Sequence, residues 1–578
     1  MGNTLYYGDN LDILRNYIKN ESLDLIYLDP PFNSKRDYNV LFTNPNGTDS
    51  TSQMHAFEDT WNWGDQAEKT FLEIQQNCSS KLIEMLTSFI DFIGRNDITA
   101  YLTMMAIRLE ELHRVLKSTG SLYLHCDPTA SHYLKILLDI IFHGNFRNEI
   151  IWRRTGSHNK VGRYAPIHDV IFFYTKTNNF IWNNPKRPYM KGHIEDYFIK
   201  DEKGYRTNYY GNVLTGSGTR GGESGKPWRG IDPTPKGRHW AIPGALLQDI
   251  DEDISDLSQH EKLDYLYEKG FITFHEGNTW PIYGRYLNDN DGQPISDIWA
   301  YQPYTENTIF GTDKSIDQDV RWLSPKDQER LGYQTQKPLG LLDRIIKASS
   351  NVGDIVLDPF CGCGTTIDSA EKLERKWIGI DITTIATGLI KFRLNNKYHL
   401  SEDVDYEVIG EPKDLEGARE LANKADKYQF QWWAVNLVKA RPYSGKKKGA
   451  DEGVDGVIYF QDWEKVTDIK SIVIQVKSGK NISVKDIREL NTIVENKKAA
   501  IGVYITLEKP KSTMIKEAIS KGFYNHKLTG RKFFKIQILS IEDIFNGKKI
   551  DCPLTIAHAI EANSVGDTHK QKNWIKED

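Results

Sequence analysis

Short apolar runs alternate along the chain with stretches whose apolar residues fall at helical spacing. Leu23-Asp24-Leu25-Ile26-Tyr27-Leu28 is one such run. It ends at Asp29-Pro30-Pro31-Phe32, so a buried strand meets a proline loop. Tyr101 to Lys117 carries a helical pattern, and Ser118-Thr119-Gly120 predicts its stop. Ser121 to His125 is predicted as the next strand, Leu339 to Ser349 as an amphipathic helix and Asp354 to Leu357 as another buried strand. Strands alternating with helices indicate an α/β domain with a largely parallel sheet. The Gly-rich stretch Leu214 to Gly237 has weak periodicity and predicts irregular or inserted structure. A polar patch from Ser401 to Lys427 predicts a linker to a second α/β segment, Gln429 to Asn546, and the tail after Asn563 is expected to be loosely ordered.

The 578 residues are 39% hydrophobic and 26% charged, ordinary for a soluble globular protein and far from a disordered tract. No run approaches the roughly 20 apolar residues that span a bilayer. The start, Met1 to Leu5, lacks the basic-then-apolar pattern of a secretory signal, so no membrane partner is expected. Five scattered cysteines (Cys78, Cys126, Cys361, Cys363, Cys552) fit a reducing, cytoplasmic setting rather than a disulfide framework. With 74 basic and 79 acidic residues the chain is not one that coats nucleic acid indiscriminately, but its charge is uneven. Ile151 to Trp240 holds 16 Lys or Arg against 7 Asp or Glu, and Ala241 to Gly270 holds 2 against 8. The basic stretch is threaded with Trp152, Tyr164, Trp182, Tyr209, Tyr210, Trp228 and Trp240. Such a mixture suits a surface that grips phosphates and contacts bases, and two solvated faces would give the same counts.

The strongest candidate chemistry lies at Asp354 to Thr366, a strand, a tight glycine loop (Phe360-Cys361-Gly362-Cys363-Gly364) and the start of a helix. In doubly wound folds this position binds an adenosine-bearing cofactor, because glycines let the backbone approach the ligand. A second strand, Lys376 to Ile380, ends in Asp381, 17 residues past Gly364, where a carboxylate can accept hydrogen bonds from both ribose hydroxyls. The loop is not GxGxxG and lacks the GK[ST] of a phosphate-binding loop, which disfavours a nicotinamide dinucleotide, ATP or GTP. No Cys or His pair nearby would complete a metal site with Cys361 and Cys363. Asp29 to Phe32 is the second candidate. A proline pair after a strand is often only a stiff turn. Here, however, the loop also presents the Asp29 carboxylate, the carbonyl that follows it and an aromatic face, which together suit an exocyclic amine on an extruded base.

On these residues the chain resembles the DNA amino-methyltransferases that use S-adenosylmethionine and carry a D-P-P-[FYW] catalytic loop and an F-x-G-x-G cofactor loop. Tyr7 to Asn10, His168 to Lys176 and Tyr333 to Pro338 also match. The catalytic loop precedes the cofactor loop, the order of the beta class, and the resemblance covers roughly residues 1 to 398. It implies methylation of adenine N6 in double-stranded DNA, since relatives acting on cytosine N4 usually have Ser where Asp29 stands; cytosine N4 stays as the alternative. It implies that Asp29, Pro30, Pro31 and Phe32 form the catalytic loop. It further implies that Asp9, Lys337, Asp358, Phe360, Gly362, Gly364, Thr365 and Asp381 serve the cofactor, and that the enzyme is a homodimer.

The C-terminal segment suggests a second chemistry. Gly449 to Phe460 enters a strand, and the strand Ser471 to Lys480 sets Gln475 and Lys477 on one face. An acidic residue beside a polar-x-Lys pair is what metal-assisted phosphodiester cleavage requires, although Gln-x-Lys alone is more often an ordinary strand edge. Together with Lys498 to Thr506, the segment resembles the Mrr-type branch of the PD-(D/E)xK restriction nucleases over roughly residues 428 to 546. The resemblance implies Asp455 and Gln475 as ligands of Mg²⁺, with Lys477 catalytic. Relatives commonly carry Glu where Gln431 stands, and loss of that charge weakens hold on a hard cation. Lys446-Lys447-Lys448 is either a solvated loop or a phosphate contact.

The expected fold class is therefore α/β: a Rossmann-like methyltransferase in two parts (1–180 and 326–400) around a target-recognition insertion (181–325). A linker (401–427), a restriction-endonuclease-like α/β domain (428–560) and a tail (561–578) follow. The expected function is site-specific DNA methylation in a restriction-modification or phage-defence setting, with a fused endonuclease. The alternatives are a methyltransferase whose last domain only docks DNA or a partner, and a non-enzymatic DNA-binding protein. No helicase motif is evident, so translocation would require an additional restriction or helicase subunit.

Overall fold

The computed structural model describes residues 2–553 apart from 32–36, 44–48, 59–62, 158–161, 203, 208–213, 248–249, 251, 275–279, 285, 289–290, 325–326, 332, 334, 424–426, 444–452, 463–468 and 528. It forms two compact units, one of residues 184–296 and 301–318, the other of the remaining chain.

The larger unit is built on a sheet that has nine strands among the described residues. In chain order these are β1 (Thr4–Tyr7), β2 (Leu23–Leu28), β3 (Leu116–Cys126), β4 (Phe146–Arg153), β5 (His168–Thr175), β6 (Ile298–Trp299), β7 (Ile355–Asp358), β8 (Lys376–Asp381) and β9 (Glu407–Ile409). Their spatial order is β6-β4-β5-β3-β2-β7-β8-β1-β9. Only β5 runs against the rest. Every residue of β2 is buried, as expected of a central parallel strand covered on both faces. From β2 the chain steps outward to β3, whereas from β7 it steps the other way to β8, so the sheet reverses between β2 and β7. A crevice opens at such a switch point, beyond the C-terminal ends of the strands.

Helix α1 (Asn10–Tyr17) follows β1, and α2 (Asp97–Val115) lies in the core. The start of α2 is fixed by a capping box: Asn96 Oδ1 accepts from the Thr99 N–H at 3.1 Å, and Thr99 Oγ1 accepts from the Asn96 N–H at 2.9 Å. The sequence pattern extends this helix to Lys117, with a stop at Ser118 to Gly120. Instead α2 ends at Val115, and Leu116 already pairs with Leu23 in the sheet. The register then jumps to Leu25 opposite Ser121, so the expected stop residues form a bulge at the start of β3. Gly120 permits it, since a Cβ there would lie 2.6 Å from the Leu116 side chain. Helix α3 (Leu339–Ser349) has the expected bounds; α4 (Thr365–Lys372) and α5 (Thr384–Tyr398) follow β7 and β8.

The stretch 401–427, expected as a linker, is structured. It contributes β9 to the large sheet, then helix α6 (Leu415–Asn423), whose Ala418 and Leu421 enter the C-terminal core. That core surrounds helix α7 (Lys427–Leu437) and a sheet of β10 (Arg441–Pro442), β11 (Gly456–Gln461), β12 (Ile469–Lys477), β13 (Ile501–Thr506) and β14 (Ile536–Ser540), in that order.

The smaller unit has short two-stranded ribbons and a core of its own. The expected insertion, 181–325, is wider than this unit: Ile298–Trp299 returns to pair with β4. The aromatic residues expected to contact bases divide. Trp228, Trp240 and, in the large unit, Trp152 are buried, and their indole N–H groups donate to Asp264 Oδ1, the Lys226 carbonyl and the Val320 carbonyl. Ribbons this short supply little apolar surface, so the indoles of the smaller unit are its core. Tyr164 and Trp182 are exposed. Tyr209 and Tyr210 lie outside the described residues.

Candidate functional site

At the switch point between β2 and β7 is a cavity of about 280 Å³. Asp9, Asp29, Pro31, Lys337, Asp358, Phe360, Gly362, Thr365 and Asp381 line it, so residues from five separate stretches of sequence converge. Pro30 is buried behind the loop, and Gly364 caps α4 just outside the lining. Phe32 lies outside the described residues.

The glycine loop is held from below. Gly362 has φ +48°, and a Cβ there would stand 3.2 Å from the Tyr333 ring; at Gly364, φ +77°, it would meet Ile390 at 2.6 Å. Asp381 Oδ2 accepts from the Gly362 N–H at 2.9 Å, while Oδ1 accepts from the Thr383 N–H and hydroxyl at 2.9 and 2.8 Å. Asp381, expected to be an acceptor for ribose, lines the cavity and also anchors the loop through these three bonds, which leave acceptor capacity on its oxygens. Asp358 accepts from the Phe360 N–H at 3.0 Å and from the Thr366 hydroxyl at 2.5 Å. Burial, and less so the charges of Asp29 and Asp381, push Asp358 up to about 7 against those two bonds. Burial likewise raises Asp381.

On another wall, Arg108 of α2 donates through Nη2 to both Asp9 oxygens at 3.0 and 2.8 Å and through Nε to Asn10 Oδ1 at 2.6 Å. Asn10 Nδ2 in turn reaches the Pro359 carbonyl at 2.9 Å. Asp9 is thus held by α2 where it lines the cavity, and Asn10 ties the start of α1 to the glycine loop. Sequence reasoning missed Arg108; the available signal was one Arg inside the run Tyr101 to Leu109, otherwise apolar but for Thr103.

The third wall holds Asp29. Lys337, expected to serve the cofactor, bonds Asp29 Oδ2 and the Thr335 carbonyl. Asp29 Oδ1 is buried and has no hydrogen-bond partner among the described residues. A carboxylate oxygen buried without a donor is costly, so it marks a place for an incoming N–H.

In the C-terminal sheet, Asp455 sits one residue before β11, and its main chain pairs with Ile474. Its Oδ2 accepts from the Val476 N–H at 2.6 Å. Gln475 lies on the adjacent strand with Oε1 buried and unpartnered among the described residues, and Lys477 is exposed, 3.9 Å from Asp486. Among the described residues no three His, Cys, Asp or Glu cluster as a metal site. Asp451, Glu452 and Lys446 to Lys448 lie outside the described residues. Gln431 is half-buried on α7. The next residue, Trp432, packs with Tyr333, Cys363 and Ile385, so the C-terminal segment touches the back of the cofactor loop.

The Asp358 carboxyl gives the fold a pH dependence. Between about 4 and about 7 the unfolded chain has lost this proton and the folded chain keeps it, so stability falls as pH rises through that window and levels off above it. Asp358→Asn is expected to remove this slope, measured as denaturation midpoints from pH 5 to 8.

Comparison with known proteins agrees with this geometry. Residues 23–389 match a family model described as DNA methylase, and residues 422–525 match one described as restriction endonuclease. The type II methyltransferase M.EcaI of Enterobacter cloacae is 29% identical over 397 residues, 68% of this chain and 69% of that protein. The Mod subunit of the type III restriction-modification enzyme StyLTI of Salmonella typhimurium is 25% identical over 65% of this chain, which spans half of that relative's length. The DNA adenine methyltransferase YhdJ of Escherichia coli is 43% identical over 103 residues, 18% of this chain and 34% of that protein. With the matched model covering well over half of its length and the cavity built from that model's two loops, the chain belongs to the DNA methylase family and carries a restriction-endonuclease segment fused behind it.

Proposed function

We propose that the chain transfers a methyl group from S-adenosylmethionine to adenine N6 in duplex DNA, with the target base turned out of the helix into the cavity. The observation that carries this reading is the pair of Asp29 oxygens, one bonded to Lys337 and the other buried without a donor among the described residues. That oxygen is an acceptor for the adenine amino group, and the Pro30 carbonyl is a second. The cavity fits the cofactor: Gly362 of the glycine loop presents no Cβ to it, and Asp381 and Thr383 are in its lining. S-adenosylmethionine supplies an electrophilic methyl on a sulfonium, so the chain contributes orientation and closeness. Lys337 and Arg108 hold their carboxylates in place, and Asp358 supports the loop backbone. Stacking of Phe32 on the extruded base comes from the resemblance in sequence. Asp rather than Ser at position 29 favours adenine, as does the similarity to a relative named as an adenine methyltransferase.

The C-terminal segment is proposed as a Mg²⁺-dependent endonuclease. Asp455 and the orphaned Gln475 Oε1 would hold the ion, which polarises a phosphodiester; one carboxylate suffices for Mg²⁺ when substrate phosphate and water complete the shell. Lys477 would face the phosphate. A homodimer, and a further restriction or helicase subunit like those implied by a Mod-subunit relative, are proposed as partners.

Asp29→Ala is expected to lower methyl transfer by at least about 100-fold while duplex binding persists, measured with labelled cofactor and by mobility shift. Transfer at an undiminished rate would remove Asp29 from the reaction. Asp455→Ala is expected to abolish Mg²⁺-dependent cutting of unmodified plasmid and weaken Mg²⁺ binding in calorimetry, leaving methylation intact; cutting that survives would assign it elsewhere.

A further inference from the structure

Behind the cavity wall, a line of buried polar side chains crosses three adjacent strands. Tyr27, on β2, is one of the residues that line the cavity, and its hydroxyl lies 2.9 Å from His125 Nδ1 on β3. His125 Nε2 lies 3.2 Å from Asp169 Oδ2 on β5. Arg154 Nη1 stands 3.3 Å from the other Asp169 oxygen, with its side chain 35% exposed. Tyr27, His125 and Asp169 are all but fully buried. The register that sets Leu28 opposite Leu124 brings His125 level with Asp29 at the next step. The sheet itself does not require this line: the neighbouring positions Leu25, Leu28, Leu122 and Leu124 are apolar, and apolar replacements would avoid desolvating three titratable groups.

The donors and acceptors can be assigned. Burial works against an ionised Asp169, whereas the hydrogen bond from His125 and the charges of Arg154 and Lys337 favour it. An ionised Asp169 accepts only, so His125 carries a proton on Nε2. In the neutral ring Nδ1 is then an acceptor, and the Tyr27 hydroxyl donates to it. The Tyr27 oxygen keeps its lone pairs for a donor in the cavity. The charged groups around this line are Asp29 and Asp358 beside Tyr27, and Arg154 and Lys337 beside Asp169.

We propose that Tyr27 and His125 take up the proton that the amino group sheds after methylation, with Asp169 holding the resulting imidazolium. This rests on the methyl-transfer reading above. Methyl transfer forms a C–N bond, breaks a C–S bond and leaves the amino nitrogen with an extra proton and a positive charge. The N–H bond then breaks toward the Tyr27 oxygen while the Tyr27 O–H proton passes to His125 Nδ1. The products are a neutral methylamino group, a neutral Tyr27 and an imidazolium between Tyr27 and Asp169. After the product leaves, the proton returns along the same path to water. His125 acts through Tyr27 and is a positioning residue in this sense.

The test is the pH profile of single-turnover methyl transfer in the full-length wild type, His125→Gln and Tyr27→Phe, with binding of cofactor and DNA measured separately. Glutamine can keep both hydrogen bonds but takes up no proton. The wild-type rate is expected to rise with pH through one ionisation. His125→Gln is expected to be slower by at least about tenfold and to lose that ionisation, with both dissociation constants within about twofold. Tyr27→Phe, which removes a single oxygen and carries the test if His125→Gln does not fold, is expected to do the same. An ionisation that persists in both variants, however slow they are, would reduce the line to a structural support and overturn the proposal. A wild type that methylates no DNA would instead refute the methyl-transfer reading. In that case ¹⁵N resonances of the His125 ring decide the assignment: a neutral ring protonated at Nε2 supports it, and one protonated at Nδ1 overturns it.

Discussion

Three carboxylates, Asp29, Asp358 and Asp381, end adjacent parts of one sheet and enter the same small cavity, where each resists desolvation and repels the others. The surrounding structure is arranged around holding them there. Lys337 pairs with Asp29, the Gly362 and Phe360 amides and the hydroxyls of Thr366 and Thr383 serve the other two, and the Arg108–Asp9 pair closes the far wall. At Asp358 burial outweighs the two hydrogen bonds, and its carboxyl rises to about 7. The reversal of strand order between β2 and β7 makes the convergence possible, because it leaves a gap that no crossover helix fills.

Much of this was legible in the chain because it is local. A strand followed by Asp29-Pro30-Pro31, a glycine loop followed by a helix, and an acid ending the next strand are patterns of a few residues, and the cavity unites them. What was not legible is long-range. Arg108 lies 99 residues from Asp9, and its helix reads as apolar core. Lys337 reads as a cofactor residue until the fold brings it against Asp29, 308 residues away. The end of α2 is decided by Leu116 pairing in the sheet rather than by the Ser118-Thr119-Gly120 signal. The indoles of the basic stretch misled for the same reason: without the fold, a tryptophan gives no indication of whether it serves a core or a surface, and Trp240 is entirely buried.

The C-terminal segment is joined to the methylase part more closely than a polar linker would imply. Helix α6 enters its core, β9 extends the large sheet, and on α7 Trp432 lies against Tyr333 and Cys363 while Asn436 Nδ2 donates to the Thr384 carbonyl at 2.8 Å. The same helix carries Gln431 where related nucleases commonly hold a carboxylate. Asp455, the carboxylate proposed to hold the ion, lies near Gln475, whose buried amide oxygen has no partner among the described residues.

The central claim is that the buried Asp29 oxygen receives the amino group of an extruded adenine. Incubation of the full chain with methyl-labelled S-adenosylmethionine and unmodified duplex DNA, followed by nucleoside analysis, tests it most directly. Label in N6-methyladenine is the predicted result. Label in N4-methylcytosine alone would contradict the assignment of the base drawn from Asp29, and no label in any of several genomic DNAs would contradict the account of the cavity itself.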